Sequence, residues 1–370
     1  MKFKIKKDIL LENLNNVARA ISSKNLIPVL SGINFELTEK GLVLTACDNE
    51  IMLKSTINKK DIEEILEPGS IVISGKYIVE IIRKIPTEII SINVVDGSKM
   101  NITTETSEFS LNGMDSVDFP IWNIDKTNNV IKLPVKTFKD IISKTLFATG
   151  LSETRPILTG INFKCADNKL ICTATDSYRL AKYEVEVDDV TETNIVIPSR
   201  SLSELNKIVD DKNDLEIKIY QNKIVVEYGN VILQSKLLSG VYPNTDHLLV
   251  DEFKLIVEIN TEELYEVIDR VSLLNMDKEK NTISFIIKDN QAILSSTSIE
   301  LGKANETINI VKNKEEDFDI AFSSKFIMEA LKTIDTDKTI IKLNDKLKPV
   351  ILEATTNSKA IQVILPIITG

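Results

Sequence analysis

The stretches 3–21, FKIKKDILLENLNNVARAI, 131–150, IKLPVKTFKDIISKTLFATG, and 255–274, LIVEINTEELYEVIDRVSLL, share one pattern: a short run of alternating apolar residues, then an amphipathic helix. They start 128 and then 124 residues apart, and self-similarity at a fixed long period is the signature of a repeat architecture. Each is followed by a strand pair: GINFELTEKGLVLTACDNE from Gly32, GINFKCADNKLICTATDSYRL from Gly160 and ISFIIKDNQAILSSTSIEL from Ile283. Their turns, Thr38 to Gly41, Ala166 to Lys169 and Lys288 to Gln291, carry hairpin chemistry. A second strand and helix follow in each unit: GSIVISGKYIVEIIRKI from Gly69, TNIVIPSRSLSELNKIV from Thr193 and DFDIAFSSKFIMEALKTI from Asp317. Phe119-Pro120, Tyr242-Pro243 and Leu365-Pro366 close the units, their prolines evenly 123 residues apart. The pattern predicts an α+β chain of three repeated domains, 1–128, 129–250 and 251–370, each a doubled strand-helix-strands unit. The six helices it implies are short, each with one apolar stripe such as Ile9, Leu10, Leu14 and Val17.

Length and composition agree with that division. A chain of 370 residues, 43% hydrophobic and 27% charged, can bury a core in each of three domains and has no apolar run of the ~18 residues a membrane helix needs. Lys+Arg 45 against Asp+Glu 55 gives a net charge of −10, so bulk attraction to a polyanion cannot be the main source of any binding. The helical stretches are nonetheless less acidic than the rest: together they carry +1, which suits a surface lying near a polyanion. Asp8, Glu12 and Arg19 interrupt the amino-terminal apolar stretch that a secretory signal would need, and a cytoplasmic protein is expected.

Motifs for catalysis and cofactor binding are missing. His247 is the only histidine and falls in a proline-bearing connection, and there is no HExxH, GxSxG or GxGxxG. Gly69 to Tyr77 has the wrong glycine spacing for a phosphate loop and a tyrosine where the magnesium ligand should stand. Cys47, Cys165 and Cys172 have neither disulfide arithmetic nor zinc spacing and are expected in strands or core. Neither a metal nor a cofactor is expected. Asp176 in TATDSYRL is the one carboxylate an enzyme could use, but Asp48 recurs at the same place in TACDNE, which points to a turn role. An interaction scaffold that touches no polyanion is the other alternative, suggested by the −3 charge of 261–272.

Three similar domains, together with ISSKNLIPVLSGI, TRPILTGINF, TATDSYRLA, the YP connection and the terminal VILPI, resemble the bacterial DNA polymerase III beta-subunit family, the processivity sliding clamps of DNA replication. The resemblance runs from Met1 to Gly370. It implies a non-catalytic protein, a homodimer closed head to tail into a ring with helices inside around duplex DNA and sheets outside. It also implies, as partners, the clamp loader, the DNA polymerase III catalytic subunit and other proteins bearing a short docking motif. Retention would then come from topology, so few phosphate contacts and a net acidic charge are compatible with free sliding.

Residue by residue, the resemblance places Lys24, in the loop before Pro28, where the family presents a basic DNA contact. Arg83, Lys84, Lys139, Lys144, Arg200, Lys207 and Lys332 are further candidates on inner helices. Phe109 and Leu111 are expected to meet Leu273 and Leu274 of a second copy at the dimer interface. The pocket for partner peptides maps onto Leu158, Thr175, Ser177, Tyr178, Arg179, Leu180, Pro243, Leu248, Val363, Leu365 and Pro366, an apolar cup with a polar rim. Ser177-Tyr178 stands where the family commonly has Gly-His, and Ile368 where it commonly has a terminal arginine.

Overall fold

The computed structural model describes every residue except 23–26, 124–125, 153, 189–190, 211–213, 250–251, 276–280, 357–358 and 369–370. Among the described residues there are six α-helices: α1 (Lys7–Ala18), α2 (Gly75–Lys84), α3 (Val135–Thr145), α4 (Ser199–Ile208), α5 (Thr261–Ser272) and α6 (Ser324–Leu331). Each directly follows a strand, as the alternation-then-helix pattern predicts. Leu10, Leu14 and Val17 form the buried stripe of α1, and Leu264, Val267, Ile268 and Val271 that of α5. The Asn260 side chain caps α5 by accepting from the Glu263 N–H at 2.8 Å. No helix is long and apolar enough to cross a membrane, among the described residues.

By its contacts the chain divides into two compact units, Met1–Val135 with Arg200–Leu237, and Lys136–Ser199 with Leu238–Gly370. The first holds a thirteen-stranded antiparallel sheet. The first repeat's strand Ile51–Asn58 pairs there with the second repeat's strand Val231–Lys236, so the sheet runs on from one repeat into the next. α1 and α2 pack on each other and on one face of this sheet. Asn13 of α1, 5% exposed, ties the repeats together: its Oδ1 accepts from Ser55 Oγ at 2.6 Å and from Asn230 Nδ2 at 2.7 Å.

The second unit holds a nine-stranded and a four-stranded sheet. Its strand Arg179–Glu186 pairs with the last strand, Ala360–Ile364, repeating the join seen in the first unit. α5 and α6 pack on each other over a core that includes Phe285 and Phe322, whose ring centroids are 5.7 Å apart. The recurrent Gly-Ile-Asn-Phe has a packing reason. A Cβ on Gly32 would lie 2.4 Å from Val72 Cγ1, and one on Gly160 would lie 2.5 Å from the Ile197 carbonyl oxygen.

One regularity of the sequence does not survive. Pro366 follows the strand Ala360–Ile364 with Leu365 alone between, whereas Pro120 and Pro243 lie well beyond the strands Glu108–Met114 and Val231–Lys236. The third proline is therefore not at the position of the other two, and its even spacing is a coincidence of loop lengths.

Candidate functional site

The hairpin turn at Asp176–Tyr178 organises the site. Asp176 Oδ1 accepts from the N–H groups of Tyr178 at 2.9 Å and Arg179 at 3.0 Å, closing an Asx turn. Thr175 Oγ1 accepts from the Ser177 N–H at 3.1 Å and donates to the Arg179 carbonyl at 2.6 Å, so Thr175 is a buried staple of the turn. Ser177 sits at φ +78°, the left-handed region that suits glycine.

From this turn the strand Arg179–Glu186 sends alternate side chains to opposite faces. Leu180 stands opposite Val363 and packs with it and Ile351, and Leu248, Leu249 and Phe253 lie against that cluster. The Leu365 N–H donates to the Tyr178 carbonyl at 2.9 Å, which anchors the carboxy-terminal segment to the turn. A cavity of about 650 Å³ opens beside it, lined by Leu158, Ser177, Tyr178 and Arg179 together with Leu151, Arg155 and Phe326. Tyr178 is 64% exposed at its mouth. Pro243 is exposed and Leu365 and Pro366 are half-buried.

Arg179 departs from the expected role of a peptide contact. Only 8% exposed, it leaves the strand on the face opposite Leu180 and is held by Asp176 at 3.0 Å, by Glu329 of α6 and by the Phe147 carbonyl. Its guanidinium also lies 5.1 and 4.5 Å from the ring centroids of Phe147 and Phe326. Such a group is a tie between the second and third repeats, bordering the cavity while each of its three nitrogens donates to protein. Sequence reasoning passed over Arg155, whose Nη1 donates to Ser177 Oγ at 3.2 Å, although it stands in the same TRP motif. It also passed over Tyr242, whose phenol is pushed up by burial and which the adjacent Pro243 could have flagged.

The basic candidates scatter in their environments. Lys24 lies outside the described residues. Arg83 and Lys84 are exposed at the end of α2, Arg83 holding Glu80 and donating to Asn15 Oδ1 at 3.2 Å. On α3, Lys139 is half-buried, whereas Lys144 is 7% exposed and its ammonium is bonded to the Thr333 carbonyl and the Asp335 carboxylate. Lys144 is thus a buried structural cation rather than the exposed contact its helical position suggests. Arg200 pairs with Asp48, Lys207 with Glu204 at 2.7 Å, and Lys332 lies 5.5 Å from the Tyr265 ring centroid.

At the expected subunit interface, Phe109 is 37% and Leu273 55% exposed, with Leu111 and Leu274 half-buried. All three cysteines are buried. Burial and then the neighbouring Asp48 push the Cys47 thiol up to about 12, and burial pushes Cys165 up to about 11, so neither is a reactive thiolate. No cluster of metal-ligating side chains occurs among the described residues, and His247 is exposed.

The DNA polymerase III beta-subunit family matches in three parts, its N-terminal domain over residues 1–125, its central domain over 132–244 and its C-terminal domain over 247–368. The chain belongs to the DNA polymerase III beta-subunit family. It is 38% identical to the beta sliding clamp of Staphylococcus epidermidis, with all of both chains covered. Solved sliding-clamp structures agree: the Bacillus subtilis clamp at TM-score 0.93 and 34% identity, and the Streptococcus pneumoniae beta chain at 0.95 and 30%, each covering both chains fully. The protein has the three-domain clamp fold of mixed helix and sheet, and it is a non-catalytic processivity factor of DNA replication.

Proposed function

We propose that two copies of the chain, each of three clamp domains at 1–128, 129–250 and 251–370, join head to tail as a ring around duplex DNA in the cytoplasm. The observation that carries this is strand bookkeeping. The outgoing hairpin strand of the first repeat, Ile51–Asn58, is paired by the closing strand of the second, and that of the second, Arg179–Glu186, by the closing strand of the third. The third repeat's own hairpin strand, Gly302–Asn309, is an open sheet edge among the described residues. Among the described residues, the first repeat's closing strand, Glu108–Met114, has a neighbour on only one side over residues 108–112. Each copy therefore carries one strand of each kind left over, and edge strands are templates for pairing with another chain. Joining them between copies extends the same sheet across the subunit boundary, with Phe109, Leu111, Leu273 and Leu274 as its apolar contacts. Leu273→Ala with Leu274→Ala is expected to give monomers in sedimentation, and an unchanged dimer would remove these residues from the interface.

DNA contact in this reading is sparse and electrostatic: Lys24, Arg83, Lys84, Lys139, Arg200 and Lys207, without Lys144. The turn at Tyr178 with the Leu158, Leu180, Leu248, Val363 and Leu365 surfaces takes short apolar segments of the polymerase, the clamp loader and other partners, flanked by Pro243 and Pro366. Loading by a bacterial clamp loader with ATP onto nicked circles and onto the same circles linearised tests the ring. Retention on circles through a high-salt wash, with loss from linear ends, is the expected result. Equal salt-sensitive release from both would mean ordinary electrostatic binding.

A further inference from the structure

The cavity beside Tyr178 is a positive spot on an acidic chain. Its charged walls, among the described residues, are three cations, Arg155, Arg179 and Lys325, and one carboxylate, Asp176, while the chain as a whole carries −10. Arg179 and Asp176 hold each other, and the rest of the Arg179 fork goes to Glu329 and the Phe147 carbonyl. Arg155 and Lys325 are exposed, and among the described residues neither has a carboxylate partner. The cavity of about 330 Å³ bordered by Phe119 and Trp122 in the first unit shows no such excess, since Glu36 and Lys54 are its only charged walls among the described residues and they cancel.

One of the two unpaired cations is also held in place. Arg155 Nη1 donates to Ser177 Oγ at 3.2 Å, which leaves Nε and Nη2 without a protein acceptor among the described residues. Ser177 makes that bond from φ +78°, a conformation that a side chain other than glycine enters at a cost. The turn does not require it. Asn49 stands at the matching place of the first turn, inside the same pair of aspartate bonds, and is not in the left-handed region. A hydroxyl kept in a strained conformation and bonded to an otherwise free guanidinium at a cavity wall is a positioning group.

We infer that the Tyr178 pocket takes segments that carry an aspartate or glutamate beside their apolar anchors, the carboxylate accepting from Arg155 and Lys325 and Ser177 orienting Arg155. A carboxylate brings only acceptors, which is what two cations with unused donors lack. It also neutralises charge that a purely apolar segment would cover without pairing. The inference rests on the reading of this pocket as the docking site.

The full chain is titrated by calorimetry, at about 50 mM salt, with acetyl-Leu-Asp-Leu-Phe-amide and with the same peptide in which asparagine or lysine replaces the aspartate. The aspartate peptide should bind about fivefold tighter than the asparagine peptide and the lysine peptide weakest, with the differences closing at about 0.5 M salt. In the double variant Arg155→Gln, Lys325→Gln the aspartate-to-asparagine affinity ratio should fall to about one, and in Ser177→Gly to about two. Glycine relaxes the backbone at that position, so the fall is not a loss of fold. Leu365→Ala should weaken both peptides alike and keep the ratio. A ratio of about one in the parent chain, or a ratio unchanged in the double variant, would overturn the inference and leave the pocket standing as long as Leu365→Ala weakens binding. An unchanged ratio in Ser177→Gly would overturn the role of Ser177. No binding of any of the three peptides would overturn the pocket and the inference together.

Discussion

The turns Thr45–Met52, TACDNEIM, and Thr173–Leu180, TATDSYRL, are built alike and used differently. In both, one aspartate oxygen accepts two successive N–H groups: Asp48 from Glu50 and Ile51 at 2.8 and 3.0 Å, Asp176 from Tyr178 and Arg179 at 2.9 and 3.0 Å. Even the third repeat keeps the bond, Ser298 Oγ accepting from the Leu301 N–H at 3.3 Å. The recurrence explains why the aspartates look like catalytic groups and are turn groups. What differs is the second aspartate oxygen and the surroundings. Arg200 of α4 holds it in the first turn, and Arg179 of the turn itself holds it in the second. The exposed Tyr178 beside a cavity of about 650 Å³ contrasts with Phe119 and Trp122 over one of about 330 Å³. A duplicated scaffold thus keeps its backbone chemistry and changes access through a few side chains.

The largest effect is expected at Arg179. Arg179→Ala leaves Asp176 and Glu329 without their shared cation and removes the contacts to two aromatic rings, at a cost of about 3 kcal/mol in denaturant unfolding of the full chain. A loss of peptide affinity with unchanged stability would make Arg179 a direct peptide contact after all. Next comes Leu365→Ala, expected to weaken peptide binding by ~1–3 kcal/mol in titration calorimetry while the oligomeric state stays the same.

The corresponding arginine of the first turn should matter less. Arg200 is partly exposed, and Asp48 keeps both backbone donors without it, so Arg200→Ala should destabilise by about 1 kcal/mol. A cost equal to that of Arg179→Ala would mean the two turns are held in the same way. Smallest is Ser177→Gly: with φ at +78° the glycine relieves backbone strain against its own chain entropy, and a gain of up to about 1 kcal/mol in stability is expected. Unchanged peptide affinity in that variant would show that the serine is tolerated by the pocket rather than used by it.

Much of this architecture is legible in the residues themselves. The helix beginning after Ser74, the paired hairpins and the turn role of Asp48 and Asp176 all follow from periodicity and turn residues, and these act over a few neighbours. The fates of Lys144 and Arg179 are not legible there. Both sit where a helix or turn would present a cation, and each is instead enclosed by partners far along the chain, Asp335 lying 191 residues from Lys144 and Glu329 150 from Arg179. The proline spacing misleads for a related reason, since equal distances in sequence can span unequal strand and loop lengths.

By itself the sequence determined a thrice-repeated strand-helix-strands unit, because alternation, amphipathic stripes and turn residues are local and survive duplication. Only the tertiary structure decided which repeat lends its closing strand to which, leaving, among the described residues, one side of Gly302–Asn309 and one side of 108–112 without a neighbour. It also decided which cations are buried and which turn opens onto a cavity. Strand pairing and burial are set by groups brought together from distant parts of the chain, and no local period encodes them.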